Sequence, residues 1–167
     1  TKYADTINTF ADSTAGSVKV YSMVVPNHTE MGLPERLKSG DGYSTESQAA
    51  NIKTIYSKFS SNVTAVNCYN SLAEHCNEYI YFNTDHHWTA LGSYYTYKAF
   101  AESTNQQVLS LDECTENKIE DFTGSFTNIV SENIGTDTVS YWTFPYETSM
   151  ELTAEAGGEA QHCDSVY

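Results

Sequence analysis

The sequence predicts an α/β domain: a three-layer sandwich on a mostly parallel sheet, with the sheet incomplete toward the C-terminus. Three observations carry that expectation. A β-branched run from Val18 to Val25 stops at Pro26 and reads as a buried, central strand. Segments of strand and helix spacing then alternate as far as Glu102. From Asn105 onward the texture turns polar and acidic, and no clear strand–helix unit follows. One domain over residues 1–167 is expected, with residues 146–167 as a flexible or truncated tail.

Residues 3–12 read as a short helix that ends before Ser13 to Gly16. The Val18–Val25 strand follows. Asn27 to Gly42 is loop-like, punctuated by Gly32, Pro34, Gly40 and Gly42. Ser44 or Thr45 can cap the next helix, which runs to about Phe59 on the spacing Ala49, Ile52, Ile55, Tyr56, Phe59. Asn62 to Asn67 is a second strand, and Tyr69 to Cys76 a short helix. Tyr79 to Phe82 is a third strand. Thr89 caps a helix that reaches about Glu102 and packs through Leu91, Tyr94, Tyr95 and Phe100. Short strand-like pieces are expected at Gly124–Val130 and Thr138–Phe144. The alternating order implies parallel strands with helical crossovers.

Charge narrows the partners. With 22 acidic and 8 basic residues the net charge is -14, which disfavours nucleic acid and anionic membrane surfaces. Arg36 is the only arginine, so a multi-arginine phosphate clamp is absent. No apolar run approaches the length of a transmembrane helix. A chain that opens at Thr1 fits removal of an export signal or excision from a longer polypeptide. The 13 tyrosines suggest a half-polar core or a carbohydrate-facing surface. None of Cys68, Cys76, Cys114 and Cys163 forms a CxxC pair, which argues against a zinc ribbon. Cys68 and Cys76 are either a short-loop disulfide or free, partly buried thiols. Asn27-His28-Thr29 and Asn62-Val63-Thr64 fit the glycosylation pattern, which matters only in a eukaryotic secretory setting.

The chemistry concentrates in Asp85-His86-His87-Trp88, at the carboxyl end of the expected third strand. Open α/β sheets gather ligands and catalytic groups there. In extended backbone, residues two apart share a face, so Asp85 and His87 reach one cleft and His86 points away. Asp85 would accept from one imidazole nitrogen and fix the tautomer, and the other nitrogen of His87 would take a proton from a nucleophile. Trp88 would roof the imidazole or wall the pocket. Two other readings stand beside this one. The tetrapeptide could be a polar loop with a structural Trp. Asp85, His86 and His87 could also hold a zinc or iron ion, with His75 or His28 completing the set.

Asp-His-His-Trp-Thr followed by Ala-Leu-Gly-Ser-Tyr-Tyr resembles the signature of the DHHW protein family. That family is similar to the alginate O-acetyltransferase group of SGNH hydrolase-like proteins, which carry a D-x-H-W-T-x-x-G segment. The matching residues are Asp85, His87, Trp88, Thr89 and Gly92. Val20 to Asn27, a strand ending in a proline and a polar residue, also looks like that group, so Asn27 becomes a substrate-binding candidate beside Trp88 and His86.

The resemblance implies an SGNH-like O-acyl esterase or acetyltransferase acting on a bacterial, extracytoplasmic glycan, without a cofactor or resident metal. It makes Asp85 the orienting acid and His87 the general base. It also implies a nucleophilic serine later in the chain, in a small-x-Ser-aromatic turn. Ser125, in Thr123-Gly124-Ser125-Phe126, has suitable neighbours but no hydrophobic strand before it. Ser165, in Asp164-Ser165-Val166-Tyr167, follows a polar stretch and has no helix after it. The expectation is therefore that the serine lies outside these 167 residues. A non-catalytic carbohydrate-binding or surface-interaction module is the alternative.

Overall fold

The computed structural model describes residues 1–38, 46–152 and 161–163. Helix α1 (Lys2–Ser13) is capped by Thr1, whose hydroxyl accepts from the Ala4 amide. Ala4 and Ala11 are its buried residues, and their small side chains let the helix lie close to its neighbours. Strand β1 (Val20–Ser22) pairs in parallel with β2 (Val63–Ala65), Val20 opposite Val63 and Ser22 opposite Ala65. Between them run α2 (His28–Gly32), α3 (Glu35–Lys38) and α4 (Gln48–Tyr56).

The parallel pair is shorter than the run Val18 to Val25 suggests. Past Ser22 the ladder gives way to side chains. The Val24 amide donates to the Tyr56 hydroxyl (2.9 Å), which itself donates to the Val66 carbonyl (2.8 Å). One phenol at the end of α4 thus bridges both strand ends and satisfies backbone groups the sheet leaves open. Helices α2 and α3 occupy the stretch expected to be loop. The expected caps of α4, Ser44 and Thr45, lie outside the described residues; Ser47 caps it, accepting from the Ala50 amide (3.2 Å).

Helix α5 (Tyr69–Glu74) precedes the largest departure from the sequence expectation. Tyr79 to Phe82 adds no third strand to the parallel pair. The chain turns back on itself instead: the Thr89 amide donates to the Ile80 carbonyl (3.0 Å) and the Phe82 amide to the His87 carbonyl (3.2 Å), with a single antiparallel bridge between Tyr81 and Trp88. Ile80 and Tyr81 enter the core with Leu72, and Val25, Met31, Trp88, Leu91 and Tyr95 pack around them. The Tyr81 hydroxyl donates to the Pro26 carbonyl and fastens this hairpin to the end of the β1 segment. Burial, not sheet pairing, is what the apolar residues of 79–82 achieve.

Helix α6 (Ala90–Ser103) starts as expected at Thr89, whose hydroxyl accepts from the Gly92 amide. Gly92 allows a close approach, because a Cβ there would collide with the Ile80 carbonyl oxygen. The polar C-terminal half then forms a long antiparallel ribbon, β3 (Thr115–Phe122) with β4 (Asp137–Thr143), kinked by a bulge between Ile119 and Phe122 where Asp121 takes φ 60°. Gly124–Val130, expected as strand, holds a 3-10 turn at Ser125–Asn128. Strands β5 (Met150–Leu152) and β6 (Gln161–Cys163) pair antiparallel.

Among the described residues the architecture is thus three two-stranded sheets with helices; the α/β character and the parallel β1–β2 pair agree with expectation, whereas the small sheets do not make a clear three-layer sandwich on a mostly parallel sheet. The thiols resolve one question. Cys68 is buried and Cys76 exposed, and both are free. Burial pushes the Cys68 thiol up to about 11, which makes it an inert core group.

Candidate functional site

The tip of the Tyr81–Trp88 hairpin, residues 83–87, carries the acidic and imidazole groups. Two distant segments hold it in shape. From below comes Asp137, the first residue of β4, only 3% exposed. One carboxylate oxygen accepts from the Asn83 amide and side chain (3.1 Å each) and from the Tyr79 hydroxyl. The other accepts from the Thr84 amide (2.7 Å) and hydroxyl (2.6 Å). From the side comes the turn Gly124–Phe126. The Gly124 amide donates to the Thr84 hydroxyl (2.9 Å) and the Phe126 amide to the Thr84 carbonyl (2.9 Å). Thr84 is fully buried between them.

Asp85 is the next residue out, and both of its oxygens are engaged. Oδ1 accepts from the His87 amide (2.8 Å) and from His87 Nδ1 (2.6 Å). Oδ2 accepts from the Ser125 amide (2.8 Å). Burial alone would push its carboxyl up. The Ser125 and His87 amides, together with their side chains, outweigh burial and hold it well below the usual carboxylate range. Asp137 follows the same pattern: burial opposes, and the donors of Thr84, Tyr79 and Asn83 keep its carboxyl low.

A folded-state value depressed in this way adds stability above the ordinary carboxylate range and loses it as pH falls below that range. Urea unfolding is therefore expected to show a falling midpoint as pH drops below about 4. A slope unchanged in Asp137→Asn would show that this carboxylate is not part of the effect.

The side of the site away from these clamps is open. The side chains of His87 and His86 are 67% and 61% exposed. With Nδ1 on Asp85, the Nε2 of His87 has no partner among the described residues. His86 stands beside it, with ring centroids 3.9 Å apart, and its Nδ1 lies 2.9 Å from the Ser125 hydroxyl. The expectation that His86 points away from the cleft fails, because residues 83–87 form a turn and the two-residue alternation of a strand does not apply. The pairing of Asp85 with His87 comes from that turn, not from a shared strand face.

Ser125 does reach the site, but its hydroxyl meets His86, and no hydroxyl among the described residues bonds His87. Ser165 lies outside the described residues. Trp88 packs against the core cluster. Asn27 is occupied as the cap of α2, its Oδ1 accepting from the Glu30 amide (3.3 Å) and the Gln48 side chain (2.6 Å). Asp85, His86 and His87 bring ligand atoms within 4.8 Å of one another, a spacing an ion could bridge if Asp85 released His87. The suggested completing residues sit elsewhere: His75 stacks on Tyr95 and bonds Glu78, and His28 stacks on Tyr81.

Sequence reasoning missed Asp137 and Thr84. Asp137 lies 53 residues from Thr84 in a polar stretch, where nothing local distinguishes it from neighbouring acids. Gly124 is the part of the clamp that had a signal, in the Gly-Ser-Phe turn. A Cβ at Gly124 would collide with the Asp85 Cβ and the Thr84 backbone. Gly124→Ala is therefore expected to destabilise by about 2 kcal/mol through overpacking. A denaturant midpoint equal to that of the parent chain would sink this account of the clamp.

A family model described as DHHW protein matches residues 1–153. Among solved structures, the chain resembles a DHHW family protein from Eubacterium siraeum at 34% identity and TM-score 0.84, covering 97% of this chain and 55% of that one. It also resembles Bacillus cereus PatB1 with a sulfonyl adduct, at 17% identity and TM-score 0.69, covering 97% of this chain and 56% of that one. The O-acetyltransferase domain of Pseudomonas putida AlgJ matches at 16% identity and TM-score 0.57, covering 86% and 58%. At such low identity the last two show a shared fold alone. The chain spans little more than half the length of these relatives. None of the curated proteins matches it.

Proposed function

The chain belongs to the DHHW protein family, and on that premise we propose that it carries the acid–base half of an O-acyl esterase or acetyltransferase site acting on a glycan outside the bacterial cytoplasm. The observation that carries this reading is the short Asp85 Oδ1–His87 Nδ1 contact of 2.6 Å on an otherwise open imidazole. The likeness in fold to the AlgJ O-acetyltransferase domain supports the reaction class. No described helix is long and apolar enough to cross a membrane, which suits a domain that meets its glycan in the aqueous phase.

In this reading Asp85 remains ionised and accepts the Nδ1–H of His87, which leaves Nε2 as the base. Nε2 takes the proton of a serine hydroxyl as its oxygen attacks the acetyl carbonyl. The resulting imidazolium returns that proton to the departing sugar alkoxide. The acyl-serine is then opened by water or by an acceptor hydroxyl, which His87 deprotonates in turn. In this reading the nucleophile is a serine outside residues 1–167; what supports it is that no hydroxyl among the described residues bonds His87, the Ser125 hydroxyl lying 2.9 Å from His86 Nδ1 instead.

Labelling tests the placement of the serine. Phenylmethylsulfonyl fluoride followed by peptide mass spectrometry is expected to leave Ser125 unmodified. A stoichiometric adduct on Ser125 that disappears in Ser125→Ala, together with hydrolysis of 4-nitrophenyl acetate, would move the nucleophile into this chain and make His86 its partner.

A further inference from the structure

We propose that the groove between α6 and the end of β4 is a binding subsite for an uncharged pyranose chain, an inference that rests on the glycan reading above. The groove encloses about 420 Å3. That volume falls in the range of small-ligand sites, about 300–1,000 Å3.

Its chemistry is specific. Tyr94 and Tyr97 line it from the helix, and Trp142, Phe144 and Tyr146 from the ribbon and the segment after it. Trp142 belongs to β4, and Phe144 and Tyr146 follow it in the segment that bends at Pro145 and Tyr146. The rings of Phe144 and Tyr146 lie parallel, 5.4 Å apart with an interplanar angle of 8°. They are 49% and 60% exposed, so the fold holds these ring faces in order without burying them. Pyranose rings with equatorial hydroxyls present axial C–H groups on their faces, which stack on such aromatic surfaces.

The polar groups agree with this occupant. The Tyr94 hydroxyl donates to the Leu109 carbonyl (3.2 Å) and is used by the fold. The hydroxyls of Ser93, Tyr97 and Tyr146 have no partner among the described residues and are free for sugar hydroxyls. No lining side chain carries a formal charge, and the whole chain is at -14. The cation that reaches its edge is Lys98, whose Nζ lies 5.8 Å from the centroid of the Tyr94 ring, and against the net charge of -14 a uronate chain would still be repelled at long range. The uncharged sugar is the class that fits. The groove begins at Ala90 and Ser93 on the first turns of α6, just after His87 and Trp88 in the chain, so a bound chain would lie beside the helix that starts at the dyad.

The two tryptophans make the test direct, since Trp142 lies in the groove and Trp88 beside the dyad. The protein is labelled with 5-fluorotryptophan, each 19F resonance is assigned by a Trp→Phe variant, and cellohexaose, chitohexaose and hexagalacturonate are titrated in. A saturable shift of Trp142 with a neutral hexasaccharide is expected, kept in His87→Ala and weakened about tenfold in Tyr146→Ala, which removes an exposed stacking face. No Trp142 response to either neutral chain overturns the proposal. A tighter response to hexagalacturonate overturns its uncharged class. A shift confined to Trp88 overturns the groove assignment while leaving the glycan reading standing. A sugar-independent Trp142 shift that tracks protein concentration, with a dimer in sedimentation, shows a second copy in the groove and overturns it too. Binding at Trp142 with no esterase activity in any His87-containing form would remove the enzymatic reading and retain the subsite.

Discussion

Asp137→Ala is expected to be among the most destabilising single substitutions in this chain. The carboxylate accepts from the Asn83 amide and side chain, the Thr84 amide and hydroxyl, and the Tyr79 hydroxyl. Thr84 is fully buried, so its donors have no water to turn to. A buried donor left unmade costs about 1–3 kcal/mol, and this change strands several at once, so a loss of about 3 kcal/mol or more is expected. For a domain of this length that is a fall in Tm of about 6–12 °C. Asp137→Asn tests the same point without a cavity. Its amide group must face either the Thr84 donors or the Asn83 and Tyr79 donors, so it is expected to behave much like alanine. Calorimetry on both variants decides it. An asparagine variant as stable as the parent would mean that the network tolerates a misplaced donor and does not hold the tip.

Asp85→Asn is expected to give the largest functional effect. An amide offers one acceptor where the carboxylate offers two, and here the two oxygens face the His87 ring and the Ser125 amide. If the amide nitrogen turns to His87, it donates to Nδ1, the proton moves to Nε2, and the base is lost. If it turns to Ser125, two N–H groups oppose each other. Loss of the correct tautomer lowers kcat by about 10,000-fold in triads of this kind. The measurement is deacetylation of an acetylated sugar by a form of the protein that carries the proposed serine. His86→Ala and Ser125→Ala are expected to keep activity within about tenfold, since neither group touches His87 Nδ1. A collapse in Ser125→Ala that matches Asp85→Asn would assign the nucleophile to Ser125.

The legible parts of the sequence are local. Thr89 as a helix cap, the helix behind it, and the Asp85–His87 pair depend on residues only a few positions apart, where spacing and side-chain chemistry speak directly. The illegible parts are those in which distant segments compete. Tyr79 to Phe82 has strand composition, yet the chain reverses after Phe82 and buries Ile80 and Tyr81 against Leu72. An apolar run states that it must be buried, not by which geometry. Strand β3 is nearly all polar and gains its pairing only from β4, so no periodicity announces it.

By itself, then, the sequence determined which groups are the candidates for chemistry: a carboxylate and an imidazole two residues apart, ahead of a capped helix and in a strongly acidic chain. The tertiary structure alone decided how those groups are held. It brought Asp137 and the Gly124–Phe126 turn onto Thr84 and Asp85, set His86 beside His87, and gave the Ser125 hydroxyl to His86. The physical reason is that a buried backbone turn must find donors and acceptors wherever the fold supplies them. Those partners come from segments that no local pattern connects to the tip.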